Sequence, residues 1–237
     1  MSIPLAIVGC GKMGRLVEQL APEYGFKVAA RFSRSNIGEL SRESLAGAAV
    51  AIEFSSPAAA PENLRRLASL GVNTVCGTTG WYEELPQVRQ AIVGGQSALV
   101  FGANFSVGVN LFFEIVARAA ALFAQHPEYE AWGWEIHHSA KKDAPSGTLK
   151  KLAGEMRSAG FTGPLTLSSN RAGAHIGTHE IGFDSPADTI TLRHMARSRE
   201  GYARGALQAA RWIAGKKGVF EFRDILEELC SPVAMKD

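Results

Sequence analysis

The residues best equipped for chemistry stand together between Glu135 and Thr148, in the run E-I-H-H-S-A-K-K-D-A-P-S-G-T. His137 and His138 carry the side chain whose ordinary pKa lies nearest neutrality, which suits it to giving and taking a proton. Lys141 and Lys142 supply cations for an anion, or a proton donor. Ser146-Gly147-Thr148 reads as a helix start, where unpaired N–H groups point outward and favour a carboxylate or phosphate. Ser146 fits the N-cap, with Leu149, Leu152, Ala153 and Met156 on the buried face of the helix. An anion cradle, a proton donor and cations in so short a run suit a small acidic substrate.

Positioning these groups takes a strand before them and a helix after them. Glu130–His138 reads as the strand. Its alternation puts His137, Ser139 and Lys141 on one face and His138 on the other while the strand lasts. The polar residues and Asp143-Ala144-Pro145 predict an end near Ser139, where both histidines and Lys141 can converge. Ala144 precedes a proline and should be extended. Taken singly, a strand histidine is more often structural, a lysine pair solvated, and a Ser-Gly-Thr turn a cap that binds nothing; the combination argues otherwise, with Lys142 the solvent-facing neighbour. A metal use of the histidines is disfavoured. His175 and His179 are four apart, with His194 available, but they sit in glycine-rich sequence without an H-E-x-x-H pattern, and no metal site is expected.

Upstream, Leu5-Ala6-Ile7-Val8 is a short apolar run suited to a strand buried on both faces. It runs into Gly9-Cys10-Gly11-Lys12-Met13-Gly14, a G-x-G-x-x-G. A helical pattern (Met13, Leu16, Val17, Leu20, Ala21) follows, closed near Gly25, and then the strand Phe26–Phe32. In that setting the glycines point to a dinucleotide site, with the pyrophosphate at the helix N-terminus. The second strand ends Arg31-Phe32-Ser33-Arg34, with no carboxylate until Glu39. Arginine can pair with a 2′-phosphate and Ser33 can donate to it, so NADPH is expected in preference to NADH. The alternative is that both arginines are solvated surface charges.

Alternation continues through a strand at 50–55, a helix from Pro57 to Leu70, a strand at 72–76, a helix around 83–92 and a strand at 98–101. This predicts an α/β fold with an N-terminal Rossmann-type, doubly wound parallel sheet. Ser55-Ser56, Gly77-Thr78-Thr79-Gly80 and Gly102-Ala103-Asn104-Phe105-Ser106 fall at successive strand ends, where such sheets bind ligands. After the long helical pattern 107–125 the rhythm changes. Strands are expected at 130–138, 165–171, 178–183 and 189–194, with a helix at 147–159. This is a second, α+β domain on a mixed sheet. The expected domains are 1–104 for the dinucleotide and 105–198 for substrate and oligomerisation, with 199–237 packing back on the first.

The chain of 237 residues is 46% hydrophobic and 20% charged, with a net charge of +2. This gives no electrostatic case for nucleic acid. No apolar run reaches membrane-spanning length. The N-terminus lacks the basic region and cleavage site of a signal peptide. Cys10, Cys76 and Cys230 fit neither a disulfide framework nor a metal site, so free thiols in a reducing cytoplasm are expected.

The run Glu135–Thr148 resembles the signature of bacterial dihydrodipicolinate reductases, also called 4-hydroxy-tetrahydrodipicolinate reductases. The resemblance takes in the glycine loop, Gly77–Gly80, Asn104–Asn110, Arg171-Ala172-Gly173 and Ser198-Arg199. The glycine loop departs from the G-x-x-G-x-x-G of longer members, and the segment between Arg171 and His194 is trimmed. The resemblance implies reduction of a cyclic dicarboxylate in the diaminopimelate route to lysine, using NADPH or NADH. Hydride would reach ring carbon 4 and the hydroxyl would leave as water. It makes His137 a proton donor/acceptor and Lys141 a proton donor that also faces a substrate carboxylate. His138 would bind substrate, and Gly147 and Thr148 would hold the other carboxylate. Gly9, Gly11, Lys12, Met13, Gly14, Arg31, Ser33, Arg34, Ser55, Gly77, Thr79, Asn104 and Phe105 would hold the cofactor, with Arg199 near substrate. A homotetramer formed through the second domain's sheet is likewise implied. Two other classes compete: a different dehydrogenase on the same plan, which does not need the Asp143–Thr148 turn, and a non-catalytic NADPH sensor, which does not need the proton donors.

Overall fold

The computed structural model describes residues 2–230, the side chain of Cys230 excepted. The tail at 231–237 and the thiol of Cys230 lie outside the described residues; Cys10 and Cys76 are free. In chain order the elements are β1 (Ile3–Val8), α1 (Lys12–Leu20), β2 (Phe26–Phe32), β3 (Val50–Glu53), α2 (Ala60–Ser69), β4 (Asn73–Cys76), α3 (Leu85–Gly94) and β5 (Ala98–Phe101). Then come α4 (Val107–Phe123), β6 (Glu130–His137), α5 (Gly147–Ser158), β7 (Leu165–Arg171), β8 (Thr178–Asp184), β9 (Thr189–Met195), α6 (Glu200–Trp212), β10 (Gly218–Glu221) and α7 (Leu226–Cys230). The chain divides into two compact units. One holds the described residues up to Val107 and those from Glu200 to Cys230; the other is Gly108–Arg199.

The first unit is built on a six-stranded sheet in the order β10-β5-β4-β3-β1-β2, with every pairing parallel. Leu5 through Val8 are all buried, as a strand covered on both faces requires. Leu5 and Ile7 join α1 and α6 in one core, while Ala6 and Val8 join Phe32, Leu40 and Leu67 in another. α1 gives way at Ala21 to a single 3₁₀ turn, which Gly25 closes at φ +76°, a conformation that costs glycine little. α2 starts later than the expected Pro57. The carbonyl of Ser56 first accepts the N–H groups of Ala59 and Ala60, and Pro61 is the proline of the first helical turn. The units part at Val107/Gly108 rather than at 104/105, because Phe105 is buried against Phe222 in the first unit's core.

The second unit carries a mixed sheet in the order β7-β6-β8-β9. β6 and β7 are parallel, joined through α5 as a parallel crossover demands, and β8 and β9 add antiparallel. α4 buries Val109, Phe112, Phe113 and Val116, and α5 buries Leu149, Leu152 and Met156. Both stripes pack with Ala131, Ile181 and Phe183 of the sheet. Gly133 has a packing reason: a Cβ there would lie 2.7 Å from Leu167 and 3.1 Å from Leu149. Among the described residues no helix is long and apolar enough to cross a membrane.

Candidate active site

β6 alternates, with Ala131, Gly133, Glu135 and His137 as its buried set. Register supplies the neighbours: Glu135 stands opposite His179 on β8, and His137 opposite Arg171 on β7. Glu135 is fully buried. Its Oε1 accepts the N–H of Ser146 at 2.8 Å, the hydroxyl of Ser169 at 2.9 Å and Nη2 of Arg171 at 2.9 Å. Its Oε2 accepts the hydroxyl of Ser146 and lies 3.4 Å from His179 Nε2 and 3.7 Å from His137 Nδ1. Burial pushes this carboxyl up, but the bonds from Ser146, Arg171 and Ser169 outweigh it and hold the pKa at about 2. Breaking so buried a pair by removing one partner costs about 3–5 kcal/mol.

The histidines are lowered too, but by burial, which favours their neutral form. Burial lowers His179 to about 4, helped by His137 and opposed by Glu135. Burial also lowers His137, against the pull of Glu135 and with Lys141 and Arg171 assisting. The two rings meet edge to face at 5.0 Å. Gly177 backs the pair, since a Cβ there would stand 2.9 Å from His137 Nε2.

The strand ends at His137, one residue before the expected end, and its carbonyl accepts the N–H of Ala172. The loop beyond is tied down by Ser139 N–H on the carbonyl of Gly173 and by Arg171 on the carbonyl of Asp143. Ser146 is the N-cap, its hydroxyl oxygen accepting Leu149 N–H at 3.2 Å. Among the described residues no hydrogen bond takes the N–H of Gly147 or Thr148, so the start of α5 retains two of the donors a helix leaves open. A Cβ on Gly147 would meet nothing within 4 Å, so an anion can approach the backbone closely.

Lys141 differs from the plain free cation of the sequence reading. Its ammonium lies 2.7 and 2.9 Å from the two oxygens of Asp143. This bond is the first cause of Asp143's lowered pKa. His138 is half-buried and stands outside the Glu135 network, its carbonyl accepting Lys141 N–H. Arg199 is exposed. In sequence Ser146 reads as the N-cap, His179 is weighed as a metal ligand and set aside, Arg171 enters only through the resemblance, and Glu135 is given no role. The one local signal was an acidic residue in the buried phase of β6.

Glu135, His137 and His179 offer three ligand-type atoms within 4.8 Å of one another, a grouping that differs from the histidine set weighed in sequence. Glu135 already receives three donors on Oε1, one of them the Arg171 guanidinium, which a metal cation would have to displace.

In the first unit Gly9, Gly11, Ser33, Arg34 and Ser55 line one cavity of about 500 Å³, with Phe32, Ile37, Phe54 and Asn63. A dinucleotide fits on two counts. α1 is N-capped by Gly11 without any side-chain cap, leaving its first N–H groups to an anion. A Cβ on Gly11 would meet nothing within 4 Å, so the backbone is open to close approach. Gly9 and Gly14 serve the turn itself: a Cβ on Gly14 would lie 2.0 Å from the carbonyl oxygen of Gly9, and Gly9 holds φ +98°.

Other expected cofactor residues lie elsewhere. Arg31 pairs with Glu18 of α1 and is absent from the cavity wall, because strand alternation turns it away from Phe32. Phe105 is 2% exposed within the core, and Met13 packs on that same core. Gly77 is needed beside the ring of Phe54, 2.0 Å from where its Cβ would stand. Lys12 and Thr79 are exposed. Asn104 accepts the N–H of Ser106. Missed in sequence was Glu53, buried beneath Ser55 and accepting from its hydroxyl.

Comparison with known proteins agrees along the chain. Residues 3–105 match the family model described as dihydrodipicolinate reductase, N-terminus, and residues 108–226 the one described as its C-terminus. The 4-hydroxy-tetrahydrodipicolinate reductase of Christiangramia forsetii is 31% identical, covering 95% of this chain and 98% of that protein. That of Archaeoglobus fulgidus is 34% identical, over 92% and 96%. Among solved structures, a dipicolinate-bound dihydrodipicolinate reductase from Paenisporosarcina sp. TG-14 shares the fold with a TM-score of 0.78 at 23% identity, covering 95% of this chain and all of that one. With both halves matched and relatives aligned over nearly their full length, the chain belongs to the dihydrodipicolinate reductase (4-hydroxy-tetrahydrodipicolinate reductase) family.

Proposed function

We propose that this chain reduces 4-hydroxy-tetrahydrodipicolinate to tetrahydrodipicolinate, taking a hydride and a proton and releasing water, with NADPH the preferred donor. The observation that carries the reading is that His137 at the end of β6 and the open start of α5 adjoin one carboxylate, Glu135, with Lys141 on the short loop between them. A cyclic dicarboxylate needs two anion grips and a proton source, and this short segment contains all three.

In this reading the N–H groups of Gly147 and Thr148, with the Thr148 hydroxyl, hold one carboxylate. Lys141 faces the second, exchanging its Asp143 partner for the substrate. A lysine ammonium offers three donors, so it both binds and delivers the proton. His137, held neutral at pH 7 by burial, accepts a proton or passes one on. His138 contributes to the substrate's surroundings. When bound in the first unit's cavity, the nicotinamide dinucleotide supplies the hydride. Arg34 and Ser33 are the groups for a 2′-phosphate, since both line that cavity and no carboxylate follows β2 until Glu39. A cytoplasmic homotetramer is part of the reading and rests on family membership.

The test couples the purified chain to dihydrodipicolinate synthase with pyruvate and aspartate semialdehyde and follows NADPH absorbance. Consumption that depends on all components is expected. Consumption no faster than background would remove the assignment, and a clear preference for NADH would remove the role given to Arg34.

A further inference from the structure

Glu135 belongs to no step of the reaction above, yet its buried carboxylate accepts four hydrogen bonds. Its Oε1 is filled by Ser146 N–H, the Ser169 hydroxyl and Arg171. Its Oε2 has room. It accepts the Ser146 hydroxyl, and beside it His137 Nδ1, buried and without a hydrogen-bond partner, stands 3.7 Å away. Closing by roughly 1 Å would make a charge-assisted bond of about 2.8 Å.

The hydroxyl of Ser146 is also fully assigned. It donates to Glu135 and accepts Leu149 N–H at 3.2 Å. Its remaining lone pair faces His179 Nε2 at 3.2 Å, which places the proton of neutral His179 on Nε2. A single carboxylate therefore stands between both halves of the site: Oε2 lies 3.7 Å from His137 Nδ1, and both polar groups of Ser146 at the start of α5 bond to it.

We propose that Glu135 is the positioning residue of this site, holding His137 as its Nδ1–H tautomer and fixing the first turn of α5 with the same carboxylate. The nitrogen left to exchange a proton with substrate is then Nε2. Binding and proton transfer share one anchor, so a change at Glu135 reaches both. The catalytic consequence rests on the reductase reading; the coupling between Glu135 and His137 does not.

The groups acting on His137 are Glu135 from its own strand, Lys141 and Asp143 from the following loop, Arg171 from β7 and His179 from β8. Glu135 and Asp143 favour the imidazolium; Lys141, Arg171 and burial oppose it. Removing the Glu135 charge must therefore lower the His137 pKa, by about one unit or more for an opposite charge at this range.

The experiment is an NMR titration of the His137 ring nitrogens in the full chain. Wild type should show the Nδ1–H tautomer, and Glu135→Gln should lose it and titrate about one unit lower, with the pH–rate limb of kcat/KM moving equally. Ser146→Ala, which keeps the carboxylate and frees Oε2, should titrate higher, with KM raised by the loosened helix start. This second variant tests the idea even if Glu135→Gln fails to fold. An unchanged tautomer and titration in either variant would overturn the assignment. Wild type without turnover but with the coupled titration would remove the reaction and keep the coupling; turnover with an unmoved titration would remove the coupling alone.

Discussion

Glu53 and Glu135 are both fully buried, one in each unit, at or near the carboxyl end of a strand. Their partners differ in kind. Glu53 is held by neutral donors: the hydroxyl and N–H of Ser55, the amide of Asn63 at 3.3 Å and the thiol of Cys76 at 3.2 Å. The thiol is pushed well up by burial, with Glu53 adding to the effect. Glu135 is held by a guanidinium and flanked by two imidazoles. The first carboxylate steadies a loop, keeping Ser55 and Asn63 on the wall of the dinucleotide cavity. The second sets the charge around His137, the group proposed to move a proton. The buried carboxylate of the first unit is thus held by backbone and neutral dipoles, and that of the second by a cation and two imidazoles.

If that contrast is right, charge removal should be far more damaging in the second unit. Arg171→Met leaves Glu135 buried without its cation and should destabilise by about 3–5 kcal/mol, read from denaturant midpoints. A loss under about 1 kcal/mol would mean that the neutral donors suffice there too.

Acid acts on the second unit's network next. His179 is depressed from 6.5 to about 4, so below pH 6.5 the unfolded chain binds a proton that the folded chain refuses. Stability should fall as pH drops from about 6.5 to about 4. Glu135, depressed from 4.5 to about 2, contributes stability present above 4.5 and lost as pH falls towards 2. At roughly 1.4 kcal/mol per unit, each contributes up to about 3 kcal/mol. His179→Gln should flatten the upper window and leave the lower one in place. An unchanged slope in His179→Gln, measured by thermal melts across pH, would break the comparison.

Lys141→Ala should cut turnover by about a hundredfold or more while changing stability by less than about 1 kcal/mol, because its partner Asp143 is largely exposed. Near-normal turnover would remove Lys141 from the chemistry. The smallest effect is in the cofactor cavity. Arg34→Ala should weaken NADPH by about tenfold and leave NADH nearly unchanged, the loss of one charge-assisted contact to a phosphate. Arg31→Ala should leave the NADPH-to-NADH ratio alone. Equal effects at both positions would contradict the placement of Arg31 on Glu18.

How much of this was legible in the chain follows from the range of the forces. β2, β5 and β7 coincide with their expected spans, and Ser146 caps α5 as expected, because apolar runs and capping chemistry are local. The glycine loop was legible for the same reason. α2 was placed early because two prolines compete, and only the turn on Ser56 shows that Pro61 opens the helix. Arg31 was misplaced although alternation along β2 held the answer: Phe32 is buried against the sheet and Arg31 points the other way. Glu135 was present in the most informative stretch but acquires meaning only through register. Arg171 and His179 reach it across paired strands, and no local pattern reports that.

The central claim is that a hydride acceptor is gripped and protonated by the segment from His137 to Thr148. It is tested most directly by following label from NADPH deuterated at the transferable position of the nicotinamide. With the dihydrodipicolinate synthase product as substrate, mass spectrometry should find one deuterium in the tetrahydrodipicolinate formed by wild type, and at least about a hundredfold less labelled product per unit time with Lys141→Ala. Product without deuterium, or label appearing as fast in the variant, would contradict the account.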